Sequence, residues 1–111
     1  MNIMTTSIEG VLMIEPDVYE DSRGFFMETY NRNRYFKCGI NTVFVQDNLS
    51  YSVQGTVRGL HYQIRNCQAK LVQVISGEIF DVAVDIRPDS PTFGKWTGFH
   101  LSDRNRRQLF I

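Results

Sequence analysis

The stretch that most limits the fold is residues 71–86. Residues 71–75 are β-branched or apolar except for Gln73, Ser76-Gly77 supplies a turn, and residues 78–86 then alternate strictly. Successive side chains of a strand point to opposite faces, so Phe80, Val82, Val84 and Ile86 share one face. Asp81, Ala83 and Asp85 share the other. Similar short runs recur at close intervals. Residues 11–15 read as a strand closed by Pro16, and residues 24–30 follow the polar turn Asp21-Ser22-Arg23. Residues 43–46, 57–63, 95–101 and 108–111 complete the set. The one helix signal is 31–38, with Asn31 as a capping residue and Gly39 just past the end. About seven or eight strands with one short helix describe an all-β jelly roll or related barrel.

No Pro/Gly/Ser linker or internal repeat divides the 111 residues, so residues 1–111 are expected to form a single domain. Apolar residues make up 42% and aromatics 13%, enough for a core and too much for a disordered segment. Twelve basic residues balance twelve acidic ones, and no basic block stands out, so neither nucleic acid nor a membrane surface is an expected partner. The start Met1-Asn2-Ile3-Met4-Thr5-Thr6 lacks a secretory signal, and no apolar stretch approaches the ~20 residues needed to span a bilayer. Cys38 and Cys67 lack metal-ligand spacing and read as free thiols of a cytoplasmic protein. The chain stops at Gln108-Leu109-Phe110-Ile111, an apolar, strand-like run, which leads to the expectation that it was cut from a longer one.

Two histidines occur, and His61 is set apart by its company. Arg58 lies three residues before it, Tyr62 and Gln63 follow, and Lys70 comes shortly after. A regular strand would put Arg58 and His61 on opposite faces, so a shared pocket requires a break in register, for which Gly59 is the natural place. Imidazole, with a pKa near 6.5, is suited to remove a proton at neutral pH. Lysine and arginine supply fixed positive charge where an enolate or a phosphate carries negative charge. A base with two cations suits proton abstraction alpha to a carbonyl on an anionic substrate. A mononuclear metal site would want more histidines than His61-Tyr62-Gln63 and the distant His100 provide, so no metal is expected. Glycine-rich phosphate loops, nucleophile elbows and Cys-x-x-Cys motifs are absent.

At Arg58-Gly59-Leu60-His61-Tyr62-Gln63 the chain resembles the dTDP-4-dehydrorhamnose 3,5-epimerases, within the cupin-like jelly rolls (the double-stranded β-helix). The resemblance continues along most of the sequence. It includes Asp21-Ser22-Arg23-Gly24-Phe25-Phe26-Met27-Glu28, Phe44-Val45-Gln46-Asp47-Asn48, the stretch 70–87, Ser90-Pro91-Thr92-Phe93-Gly94-Lys95-Trp96 and Arg107-Gln108-Leu109-Phe110-Ile111. It implies inversion of C3 and C5 of a dTDP-linked 4-keto-6-deoxyglucose without metal or organic cofactor. The keto group acidifies both neighbouring C–H bonds, so one base serves each centre in turn. By motif position His61 is that base. Lys70 and Arg58 stand near the keto oxygen, with the diphosphate as the alternative contact for Arg58. Arg23 pairs with phosphate or nucleotide, Glu28 contacts the nucleotide, Phe26 stacks on thymine, and Gln46, Asp47 and Asn48 touch substrate. The resemblance also implies a homodimer in which an N-terminal strand crosses to the partner, so that Arg23 and Glu28 act in the neighbour's site.

Asp81, on the less apolar face of its strand, is expected to pair with Lys70 in support of the site. His100 matches no catalytic position. Residues 64–68 replace a loop that usually bears proline. The family pattern continues past Ile111, where a further histidine, a tyrosine general acid and an aspartate that orients the base are expected; the 111 residues alone are therefore expected to form a poorly stable or inactive piece. Two readings compete: a related enzyme that inverts one centre or takes a differently tagged keto sugar, and a jelly roll that binds sugar nucleotides without catalysis.

Overall fold

The computed structural model describes residues 1–111. In chain order the elements are β1 (Asn2–Thr5), β2 (Leu12–Glu15), β3 (Val18–Asp21), β4 (Gly24–Met27), α1 (Arg32–Lys37), β5 (Leu71–Gln73), β6 (Glu78–Val84), β7 (Trp96–Ser102) and β8 (Gln108–Phe110). Four of the strands form one antiparallel sheet in the order β1-β2-β8-β5. The other four form two antiparallel ribbons, β3-β4 and β6-β7.

Both faces of the four-stranded sheet are covered, as β2 makes plain. Met13 and Ile14 are neighbours that point to opposite sides, and both are buried. Met13 packs with Ile8, Val11, Val74, Ala83, Leu101 and Leu109, so the β6-β7 ribbon covers that side. Ile14 packs with Tyr35 and Ile40, so α1 and the chain after it cover the other. Truncating either β2 side chain to alanine removes a core contact worth about 2–5 kcal/mol.

The helix sits within a residue of its expected ends. Asn31 accepts a hydrogen bond from the Arg34 amide at 3.2 Å, the usual N-cap contact. At the other end Gly39 takes φ +88°, a left-handed conformation that ends the helix at little cost. The turn before β6 is equally direct, since Gly77 has φ +82° and the Asp103 carboxylate accepts its amide at 2.7 Å.

Two expected strands do not form. Residues 43–46 and 57–63 lie in a segment, 41–70, with no helix or strand. Their β-branched and apolar residues favour extended backbone, but a strand also needs a partner edge, and here the side chains face water: Val45 is 91% exposed and Val57 89%. Two other strands come without an expectation. β1 is built from Asn2-Ile3-Met4-Thr5, and β3 contains two acidic residues, so neither carries the usual composition. Each exists because a neighbour supplies its ladder, β2 for β1 and β4 for β3.

The alternation in residues 78–86 is real, but the ribbon buries its less apolar side. Ala83 and Asp85 are buried, while Phe80 is 54% exposed and Ile86 48%. The small Ala83 fits against Leu101 and Leu109. Asp85 is tolerated inside because its carboxylate accepts from the Arg87 guanidinium and from the Ser90 and Thr92 hydroxyls.

Candidate active site

Two parts of the chain hold the candidate residues. The first is the β3-β4 ribbon with the turn that follows. Its tip is set by Asp21, whose carboxylate accepts the Arg23 amide at 2.8 Å and the Arg23 guanidinium at 2.6 Å. This contact holds the Asp21 carboxyl below its ordinary range and raises the guanidinium in return. Both groups are open to water, so solvent screens the pair. Phe26 stands across from Tyr19 on an open face of the ribbon, 71% exposed. Glu28, just past β4, accepts from the Asn31 amide nitrogen at 3.2 Å and lies 3.5 Å from the Arg34 guanidinium. The residue that caps the helix therefore also fixes the carboxylate.

The second part is the segment 41–70. Gln46 donates to the Asn48 side-chain carbonyl at 3.0 Å, bracketing Asp47, and Arg58 donates to the Ser52 hydroxyl at 3.0 Å. The His61 imidazole is exposed and makes no hydrogen bond within the chain, which leaves both ring nitrogens free. The Lys70 ammonium is exposed and has no carboxylate within ion-pairing distance. Its backbone is fixed none the less, by a reciprocal pair of hydrogen bonds with Ile111 at 2.8 and 2.9 Å. The free side chain is thus anchored at the edge of the four-stranded sheet.

Two expectations about this part are corrected. Gly59 does not bulge a strand, because no strand runs through it; it takes φ +133° in irregular chain, a conformation that glycine alone adopts easily. Asp81 does not pair with Lys70. It sits in β6 opposite Phe99, half-buried, and burial raises its carboxyl pKa without a cationic partner to offset the effect. His100 is engaged elsewhere, with Glu78 at 3.1 Å and stacked at a tilt on Phe80.

Some contacts around the site were not visible from the sequence. Tyr35, Gln73 and Gln108 meet in the interior, and Arg106 lies on the β3-β4 ribbon. The available signal was a glutamine at the start of an otherwise apolar strand, which marks a buried polar group in need of partners. No group of three or more His, Cys, Asp or Glu side chains converges in a metal-like cluster. No helix is long and apolar enough to cross a membrane.

A two-faced antiparallel β scaffold with one short helix, which presents an unpaired imidazole and ammonium from irregular chain, belongs to the cupin-like jelly rolls. Within that class the assignment is specific. The family description for dTDP-4-dehydrorhamnose 3,5-epimerase matches residues 5–111. The dTDP-4-dehydrorhamnose 3,5-epimerase of Methanothermobacter thermautotrophicus is 58% identical over 106 residues, covering 96% of this chain and 57% of its own. The Shigella flexneri enzyme of the same name is 54% identical, covering 100% of this chain and 62% of its own. A crystal structure of dTDP-6-deoxy-D-glucose-3,5-epimerase from Legionella pneumophila in complex with dTDP-4-keto-L-rhamnose superposes with a TM-score of 0.95. It is 54% identical over 99% of this chain and 59% of that one. The chain belongs to the dTDP-4-dehydrorhamnose 3,5-epimerase family and spans about three-fifths of the length of these relatives.

Proposed function

We propose that the protein inverts C3 and C5 of a dTDP-linked 4-keto-6-deoxy sugar by removing protons alpha to the keto group. The observation that carries this reading is that the His61 imidazole makes no hydrogen bond within the chain and the Lys70 ammonium has no counter-ion. Both occupy the positions of the base and the enolate-stabilising cation in the family motif. An imidazole without an internal partner is available to take a proton, and an ammonium without a carboxylate keeps its full charge for a developing oxyanion.

In this reading His61 removes the proton from the carbon next to the carbonyl. The C–H electron pair becomes the enolate double bond, and the carbonyl pair moves onto oxygen beside Lys70. Return of a proton to the opposite face of that carbon inverts the centre. No electron leaves the sugar, so the reaction needs no redox cofactor. Gln46, Asp47 and Asn48 hold the sugar end, and Arg58 serves the keto oxygen or the diphosphate. Arg23, Phe26 and Glu28 on the ribbon hold the nucleotide, the guanidinium on phosphate and the Phe26 ring on thymine.

The same reading makes the protein a cytoplasmic homodimer. β1 is paired with β2 of its own chain, whereas the β3-β4 ribbon shares no ladder with the other sheets; in this reading it is the ribbon that presents Arg23 and Glu28 to the neighbour's site. Sedimentation velocity tests the dimer directly; a monomer at micromolar concentration overturns it.

Incubation of the protein with dTDP-4-keto-6-deoxyglucose in D2O tests the chemistry. Deuterium is expected at C3 and C5. A protein that binds the sugar nucleotide but incorporates none is a binder and not an enzyme, and equal incorporation by His61→Ala removes the base assignment.

A further inference from the structure

The β3-β4 ribbon shares no backbone ladder with either of the other sheets. Its outer face, Tyr19 and Phe26, is open to water. What fixes it against the body is side-chain contact: the Tyr35 hydroxyl holds Thr29 and the Met1 ammonium holds Asp17, and three consecutive residues, Arg106, Arg107 and Gln108, reach its underside, its entry and its exit. Arg106 places its guanidinium 3.9 Å above the centroid of the Phe25 ring and donates to the Glu20 carboxylate. Glu20 and Phe25 are cross-strand partners, so the one guanidinium spans both strands from beneath and leaves the Phe26 side facing outward. Arg107 pairs with Glu15 at 2.8 Å, at the end of β2 just before the chain enters the ribbon. Gln108 reaches the ribbon's exit, donating from Nε2 to the Thr29 carbonyl at 2.7 Å, directly after Glu28.

The holding segment is itself rigid. Gln108 is fully buried in the four-stranded sheet, where it is the partner of Ile14 on one side and of Gln73 on the other. Its remaining bonds run to the Tyr35 hydroxyl at 2.6 Å and to the Gln73 carbonyl at 2.8 Å, and Gln73 lies three residues from Lys70. Ahead of it, Asn105 closes the turn, accepting the amides of Ser102 and Arg107 and donating to the His100 carbonyl. Arg106 takes φ +53°, an uncommon backbone conformation for a residue with a side chain, and this turns its guanidinium under the ribbon.

We infer that Arg106 and Gln108 are positioning residues that set the height and angle of the nucleotide-holding ribbon relative to the body of its own chain, and so the way it is presented to the neighbour's site. The inference rests on the proposed function, since it takes Arg23, Phe26 and Glu28 as the nucleotide grip. It adds that the grip is aimed from elsewhere, through two contacts made by side chains that never touch the ligand. Loosening either contact lets the ribbon swing while the His61–Lys70 segment stays in place, so ground-state binding suffers and the chemical step at saturation does not.

The test compares wild type, Arg106→Gln, Arg106→Lys and Gln108→Met by dTDP titration and by steady-state C3/C5 deuterium exchange. Arg106→Gln and Gln108→Met are each expected to raise the Kd for dTDP and the KM roughly three- to tenfold, with kcat within about twofold. Arg106→Lys keeps a cation over Phe25 and beside Glu20 and is expected to recover part of the loss. Arg106 lies outside the two core clusters, so Arg106→Gln decides the matter if Gln108→Met does not fold. Unchanged Kd in a variant whose wild type binds dTDP overturns the inference and leaves the functional reading standing. A parallel loss in kcat and KM marks general loosening and overturns it too. A wild type that does not bind dTDP overturns the functional reading and the inference with it.

Discussion

Tyr35 and Gln108, 73 positions apart, meet in the interior with the phenol hydroxyl 2.6 Å from Gln108 Oε1. The hydroxyl hydrogen has a second acceptor in the Thr29 carbonyl at 3.1 Å, so a single group ties α1, β8 and the exit of the β3-β4 ribbon together. Tyr35→Phe leaves Gln108 Oε1 without its donor in a dry site and is expected to lower stability by about 1–3 kcal/mol, measured by urea unfolding. Burial pushes the Tyr35 phenol up to about 12 from 10. The folded state therefore holds this proton more tightly than the unfolded one. The resulting stability is fully present below pH 10 and is lost as pH rises toward 12. A two-unit shift amounts to about 2–3 kcal/mol. Alkaline unfolding in that window is expected to be shallower in Tyr35→Phe.

Asp85 gives the opposite sign. Arg87, Ser90 and Thr92 hold its carboxyl far below the usual carboxylate range. Its contribution is present above about pH 4, the unfolded value, and is lost as pH falls below it. Asp85→Asn keeps the shape but gives up the charge that three donors converge on. It is expected to lower Tm by several degrees at pH 7 and to flatten the acid limb of the stability profile. An unchanged acid limb shows that the loop between β6 and β7 does not depend on the ionised form.

At Gly59 the constraint is conformational more than steric. A Cβ there meets His61 Nδ1 at 3.5 Å, an ordinary contact, but φ +133° is strained for any residue with a side chain. Gly59→Ala is expected to cost about 1–3 kcal/mol locally or to shift the backbone before His61. Deuterium incorporation is expected to fall roughly tenfold or more, with circular dichroism unchanged. Wild-type incorporation in this variant dissociates the glycine from the base.

His61→Asn and Lys70→Ala are expected to lower the exchange rate by roughly 10²–10⁴-fold while leaving dTDP affinity within a few fold. The proposed nucleotide grip lies on the ribbon, with which these two side chains make no hydrogen bond or ion pair. Loss of dTDP binding in either variant moves that residue from the chemistry to the grip.

Much of the local structure was legible in short signals. Asn31 and Gly39 bracket the helix, and Ser76-Gly77 marks the turn before β6 because glycine there needs a left-handed φ. Pairing was less legible. Residues 43–46 and 57–63 carry strand composition without an edge to join, whereas β3 carries acidic composition and has one. Burial also escaped the pattern: Ala83 of β6 and Asp85 just past its end turn inward, and the three donors that make Asp85 acceptable arrive from the following loop. The identity of the site residues came from the motif around His61. The contacts of Arg106 with Phe25 and of Gln108 with Thr29 were not legible, because they cross about 80 residues of chain.

In the proposed reading the segment 41–70 carries the base and the sugar-end contacts, yet it contributes little to either side of the four-stranded sheet. Folding and chemistry are therefore encoded in largely separate stretches, with Lys70 at the seam. A library randomised across 45–68 with Gly59 and His61 fixed is expected to melt close to wild type while its members range from active to dead. Thermal screening would pass nearly all of them, so new substrate preferences in this scaffold are reachable by selecting on turnover alone, without first stockpiling stability.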